Sequence, residues 1–141
     1  MNKVADKLAM VVFSGTTDRL FPVGILASGA VAMGMDVEIF LTFWGLQAFS
    51  KQAQGAPPRF SADYADMAPM FAEVMKKKNV PSPIETLAKA KELGNVKVYA
   101  CTMTMDLLGQ KKEDFIGLVD ATAGVGEFME KARDAKMTLF I

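Results

Sequence analysis

Two strand-like segments, the first of them a continuous apolar run, constrain this chain more than any other feature. The first is Leu8–Phe13 (LAMVVF), and the second is Asp36–Phe43 (DVEIFLTF). A run without polar alternation belongs to a strand covered on both faces, as in the middle of a parallel sheet. Between them lies Ser14-Gly15-Thr16-Thr17-Asp18, rich in helix-starting residues, and then an apolar segment reaching about Met33 and stopping at Gly34. The spacing predicts one βαβ unit over the two segments. The helix is apolar around most of its circumference and carries Gly24, Ala27, Ser28, Gly29, Ala30 and Ala32, which suits close packing against the sheet and a second subunit.

The rest of the chain extends the same alternation. Gln52–Pro58 reads as a loop, and Ser61–Lys78 as a mostly helical segment kinked or restarted at Pro69. Lys76-Lys77-Lys78 reads as the solvated end of that helix. Ser82 is the expected N-cap and Pro83 the first position of a helix Ile84–Leu93, closed by Gly94. Val96–Cys101 is the third strand. Lys111–Asp114 reads as a polar turn, Phe115–Val119 as a fourth strand, Thr122–Ala135 as a helix and Met137–Ile141 as a last strand. Five strands alternating with helices predict an α/β three-layer sandwich, a mainly parallel sheet with helices on both faces, formed by residues 1–141 as one domain.

Composition removes whole classes of chemistry. Histidine is absent, which excludes Ser-His-Asp and Cys-His catalysis and histidine-ligated metals. One cysteine allows neither a disulfide framework nor a Cys-rich metal site. Sixteen basic and sixteen acidic residues cancel, so nothing favours nucleic acid. The longest apolar stretch, Leu20–Met35, is broken by Pro22 and three glycines and is shorter than the roughly 20 residues of a bilayer span. Residues 1–12 lack the regions of a secretory signal. These features point to a cytoplasmic protein without membrane insertion, metal or cofactor. Nucleotide motifs also fail: no GxGxxG follows the first strand, Gly15-Thr16-Thr17 lacks a Walker lysine, and Gly124-Val125-Gly126 reads as close backbone packing.

What remains for chemistry is Cys101, at the carboxyl end of the third strand and directly before Thr102-Met103-Thr104-Met105-Asp106. Thr102 or Thr104 is the expected N-cap of a short helix, Asp106 suits its first turn and Gly109 its end. A thiol there meets backbone N–H groups and a helix dipole, which can bring a cysteine pKa from about 8.5 to roughly 3.5–7.5. Free cysteine is equally at home as a small buried hydrophobe, so a structural Cys101 stands beside a reactive one. Ligands of open α/β sheets bind beyond the carboxyl ends of the strands. The loops there are Ser14–Asp18, Phe43–Gly45, Cys101–Met105 and Ala121–Gly126. The expected site has Cys101 as its reactive atom, with Ser14, Gly15, Thr16, Trp44, Gly45, Thr102, Met103, Thr104 and Met105 around the substrate.

At Phe43-Trp44-Gly45-Leu46, Ala100-Cys101-Thr102-Met103-Thr104-Met105 and Leu139-Phe140-Ile141, the chain resembles the DsrE/DsrF-like family over essentially its whole length. The resemblance implies an α/β homo-oligomer that carries sulfane sulfur, as a persulfide or thiosulfonate, on a strand-end cysteine. Thiosulfate or polysulfide would supply the sulfur and rhodanese-like or TusA-like proteins would exchange it. By that match Cys101 is the acceptor and the protein a sulfurtransferase-like carrier. No second cysteine exists to resolve an adduct, so release to a partner's thiol is what remains. A peroxiredoxin-like thiol role would need an outside resolving thiol and an arginine beside the thiolate, and Arg19, Arg59 and Arg133 are not placed there by sequence. The reading from a different class is an oligomeric binding module with a merely structural cysteine.

Overall fold

The computed structural model describes residues 4–141. In chain order the elements are β1 (Lys7–Val12), α1 (Thr17–Ala32), β2 (Asp36–Leu41), α2 (Phe43–Gln47), a 3-10 turn at Ala62–Met67, α3 (Ala68–Lys77), α4 (Pro83–Leu93), β3 (Val96–Cys101), α5 (Thr102–Leu108), a second 3-10 turn at Lys112–Asp114, β4 (Ala121–Ala123), α6 (Val125–Ala132) and β5 (Met137–Phe140). The strands form one sheet in the order β4-β3-β2-β1-β5, and every pairing is parallel. Val12 lies opposite Leu41, Leu41 opposite Ala100, and Cys101 opposite Ala123, so the carboxyl ends share one rim.

The apolar character of the central strands is explained by burial on both faces. Leu8, Met10 and Val12 of β1 join Val37, Ile39 and Leu41 of β2 and Val96, Val98 and Ala100 of β3 in the larger core, with Leu20, Val23 and Ala27 of α1 and Leu87 and Ala90 of α4. The alternate residues Ala9, Phe40, Tyr99 and Cys101 form a smaller core with Ala123 and Phe128 of α6. Phe40 and Phe128 stack there at 4.8 Å. The three-layer sandwich follows from these two cores. The small residues of α1 let it approach α4 closely, and a Cβ added to Gly24 would come within 3.0 Å of Thr86.

α4 begins as its sequence requires. The Ser82 hydroxyl accepts from the Glu85 N–H at 3.1 Å, and the Glu85 carboxylate accepts from the Ser82 N–H at 3.0 Å. This reciprocal capping box satisfies two donors that the helix itself cannot. Ser82→Ala is expected to cost about 1 kcal/mol of folding stability, read as a lower urea midpoint at unchanged m-value.

Several expectations are corrected. Phe115–Val119 is not a strand: Phe115 makes an isolated antiparallel bridge to Ser50, and Val119 closes a turn onto Ile116. Its apolar residues are buried as irregular filler of the larger core. The fourth strand is Ala121-Thr122-Ala123, placed by pairing with Tyr99, Ala100 and Cys101, and the following helix starts at Val125 and ends at Ala132. β2 stops at Leu41 because Phe43 turns into the left-handed region and begins a helix that periodicity did not suggest. Pro69 does restart the crossover, at the second residue of α3.

Candidate functional site

The sulfur position follows from strand alternation. Val96, Val98 and Ala100 face the larger core, so Tyr99 and Cys101 face the α6 side. α5 begins at the very next residue, which makes Cys101 itself the N-cap, with φ −67° and ψ 117°. Neither threonine caps this helix, contrary to expectation. Thr104 is fully buried and turns back across the end of β2. There its hydroxyl accepts the Phe43 N–H at 3.0 Å and lies 3.2 Å from the Thr42 hydroxyl.

Hydroxyl proton counting then fixes what the sulfur sees. Each threonine has one O–H proton. The Thr42–Thr104 bond uses one of the two, and the Phe43 N–H already supplies Thr104 from the backbone. One hydroxyl proton is left for Cys101, whichever way the pair is oriented. Burial pushes the Cys101 thiol up, but the Thr104 N–H, the Thr104 and Thr42 hydroxyls and the Met103 N–H outweigh it. The net result is a thiol below its ordinary 9.0, held there by uncharged donors. The residue is buried, 6% exposed. Tyr99, two residues earlier on the same face, is no proton source, since burial and Glu38 push its hydroxyl well upward.

The backbone that aims these donors is strained. Phe43 has φ +49°, a conformation that costs a bulky residue about 1–3 kcal/mol. It is held by its own N–H on Thr104 and by the Gly45 N–H, which donates to the Phe13 carbonyl at 2.7 Å. Gly45 lies against β1 so closely that a Cβ would sit 2.2 Å from the Val12 carbonyl oxygen. Gly15 meets the Trp44 carbonyl in the same way, at 2.3 Å.

The expected site residues divide between two places. Cys101 and Thr104 are together, with Met103 exposed at the rim. Thr102 lies near the turn into α6, 3.8 Å from where a Gly124 Cβ would be. Met105 is buried in the larger core. Ser14, Gly15, Thr16 and Trp44 instead line a separate cleft of about 1140 Å³, whose walls include none of Cys101–Met105. Gly45 is buried beneath the β1 carbonyl. The four rim loops therefore do not share one cavity, because Cys101 faces α6 whereas the cleft opens toward α1 and the crossover segment. Thr42 is the site residue that sequence reasoning missed. Two signals could have found it: it continues the Glu38, Phe40 alternation, and its strand is the parallel neighbour of the cysteine strand. Among the described residues no group of three His, Cys, Asp or Glu could hold a metal, and no helix is long and apolar enough to cross a membrane.

Comparisons with known proteins converge. The model of the DsrE/DsrF/DrsH-like family matches residues 4–63 and 59–140. The chain is 34% identical, over an alignment of 162 positions spanning all of both chains, to "Uncharacterized protein YrkE" of Bacillus subtilis. It is also 34% identical to "Sulfur carrier protein DsrE2" of Allochromatium vinosum, over 157 positions covering 96% of this chain and 98% of that one. A solved structure of a protein of unknown function from Methanobacterium thermoautotrophicum superposes with a TM-score of 0.54 at 12% identity, over 96% of this chain and 99% of that one. This last likeness is one of fold.

Proposed function

The chain belongs to the DsrE/DsrF/DrsH-like family, and from that premise we propose that it is a sulfur carrier loaded on Cys101. The observation that carries the reading is the set of donors converging on one lowered thiol from Thr42, Met103 and Thr104. The relative named as a sulfur carrier supports the same role. Loading needs no oxidant when thiosulfate is the donor. The thiolate attacks the sulfane sulfur, the S–S bond of thiosulfate breaks, and sulfite leaves with the bonding pair. With a polysulfide, a chain one sulfur shorter leaves instead. The product is a Cys101 persulfide, whose anion the two backbone N–H groups and the one remaining hydroxyl proton serve. A thiolate on a rhodanese-like or TusA-like partner then attacks the outer sulfur, and Cys101 leaves as thiolate. With one cysteine in the chain, the hand-off goes to another protein.

Intact-mass measurement under native conditions tests this directly. After thiosulfate or polysulfide treatment the protein is expected to gain one sulfur atom, to lose it to added thiol, and to gain nothing as Cys101→Ser. A second reading is favoured by the near-complete burial of the same residue: a binding module of self-associated subunits in which Cys101 only packs. An unchanged mass, with alkylation seen only after unfolding, would establish that reading in place of the first.

A further inference from the structure

We propose that the cleft beside the β1–α1 turn is a second binding site, for a small organic anion: an apolar body carrying one carboxylate or phosphate. Its volume, about 1140 Å³, accommodates such a molecule with room to spare. Phe13, Leu20, Trp44, Pro57, Pro58 and Ile84 give it apolar walls. Trp44 and Phe13 remain 56% and 37% exposed there, an aromatic surface open to stacking.

Two of the three arginines of the chain, Arg19 and Arg59, line this cleft. Among the described residues neither guanidinium makes an ion pair or a side-chain hydrogen bond, whereas Arg133 pairs with Glu130 at 3.6 Å. The carboxylates nearby are already committed. Asp18 accepts from the Ser61 hydroxyl at 2.7 Å and from the Ser61 N–H. Glu85 is engaged in the α4 capping box. Arg59 is also fixed at its backbone: the Thr17 N–H donates to its carbonyl at 2.6 Å, and its own N–H donates to the Thr17 hydroxyl at 3.1 Å. That clamp ties the crossover loop to the start of α1 and holds Arg59 at the cleft before any ligand arrives. Free guanidinia over an apolar wall recognise a planar or extended anion by charge-assisted, bidentate bonds at one end and burial at the other.

The test uses the lone tryptophan as reporter, since its indole N–H gives a single nitrogen-15 NMR resonance. Titration with 1-naphthyl phosphate is expected to shift that resonance saturably, with a Kd at or below about 1 mM. The Arg19→Gln, Arg59→Gln double variant, both sites being exposed, is expected to bind about tenfold or more weakly, as is 1-naphthol to the unmodified protein. Cys101→Ser is expected to bind as the parent does, so the sulfur-carrier reading can fail without touching this one. Four results would overturn the site: no saturable shift, equal affinity in the double variant, equal affinity for 1-naphthol, or shifts centred on Cys101–Met105 in place of the cleft. Inorganic phosphate binding as tightly as the naphthyl ester would remove the apolar half of the proposal.

Discussion

Thr104→Val is expected to slow alkylation of Cys101 at neutral pH by about tenfold or more, because a hydrogen bond to a charged group contributes about 1.5–3 kcal/mol. The substitution keeps the shape of a fully buried side chain and removes only its hydroxyl. Two consequences separate chemistry from damage. The thiol is lowered by its donors, so losing one moves the rate profile to higher pH, and the two proteins converge once both are fully thiolate. Thr104→Ser, which keeps the hydroxyl, is expected to restore the rate. Stability follows with a definite sign. A depressed folded pKa contributes stability that is present above the unfolded value and lost as pH falls through the folded one. The advantage of the parent over the valine variant therefore grows as pH rises from the folded pKa toward the ordinary value of 9.0. Beneath this lies a pH-independent cost of about 1–3 kcal/mol, for leaving the Phe43 N–H without its acceptor. Iodoacetamide rates across pH, beside urea unfolding at two pH values, check both parts. Identical rate profiles in parent and variant would mean that Thr104 holds the backbone and does nothing for the sulfur.

Gly45→Ala is expected to be severely damaging, costing about 3 kcal/mol or more. The new Cβ would stand 2.2 Å from the Val12 carbonyl oxygen and 2.8 Å from its carbon, and both belong to a central strand that cannot move aside. The cost appears as a lower urea midpoint. Whatever fraction folds is expected to alkylate slowly, because Gly45 braces the strained Phe43 turn that presents Thr42 and Thr104. Gly29→Ala is the matched control. It lies mid-helix with nothing within 4 Å of its Cβ position, so it is expected to gain about 0.5–1 kcal/mol. Equal effects at the two glycines would show that conformational freedom, and not the approach to β1, governs Gly45.

The legibility of this fold in its sequence varies with the physics of each segment. β1, β2 and β3 were readable because two-sided burial enriches them in apolar and β-branched residues, β1 as an unbroken run. α4 was readable because Ser82 and Pro83 mark its start in adjacent residues, and the structure adds the Glu85 half of the capping box. β4 was not readable: Ala-Thr-Ala has little strand character, and pairing with β3 alone makes it a strand, while the apolar Phe115–Val119 fills the core without one. The position of Cys101 at a strand end was legible from local pattern. Its partners were not, since Thr42 is far away in sequence and reaches the thiol only through sheet order. The left-handed Phe43 defies local preference, and an aromatic residue carries no signal for such a turn.

The Thr42–Thr104 pair has one property that a fixed donor such as an amide lacks. Both O–H groups are rotors, and the chain of contacts can run in either direction with no heavy atom displaced. When the sulfur carries a proton, the nearest oxygen can accept it; when the sulfur is an anion, the same oxygen can offer one. A cysteine in that setting passes between protonated, ionised and adduct forms against a wall that reverses its polarity on demand, and the surrounding scaffold can stay rigid throughout the cycle.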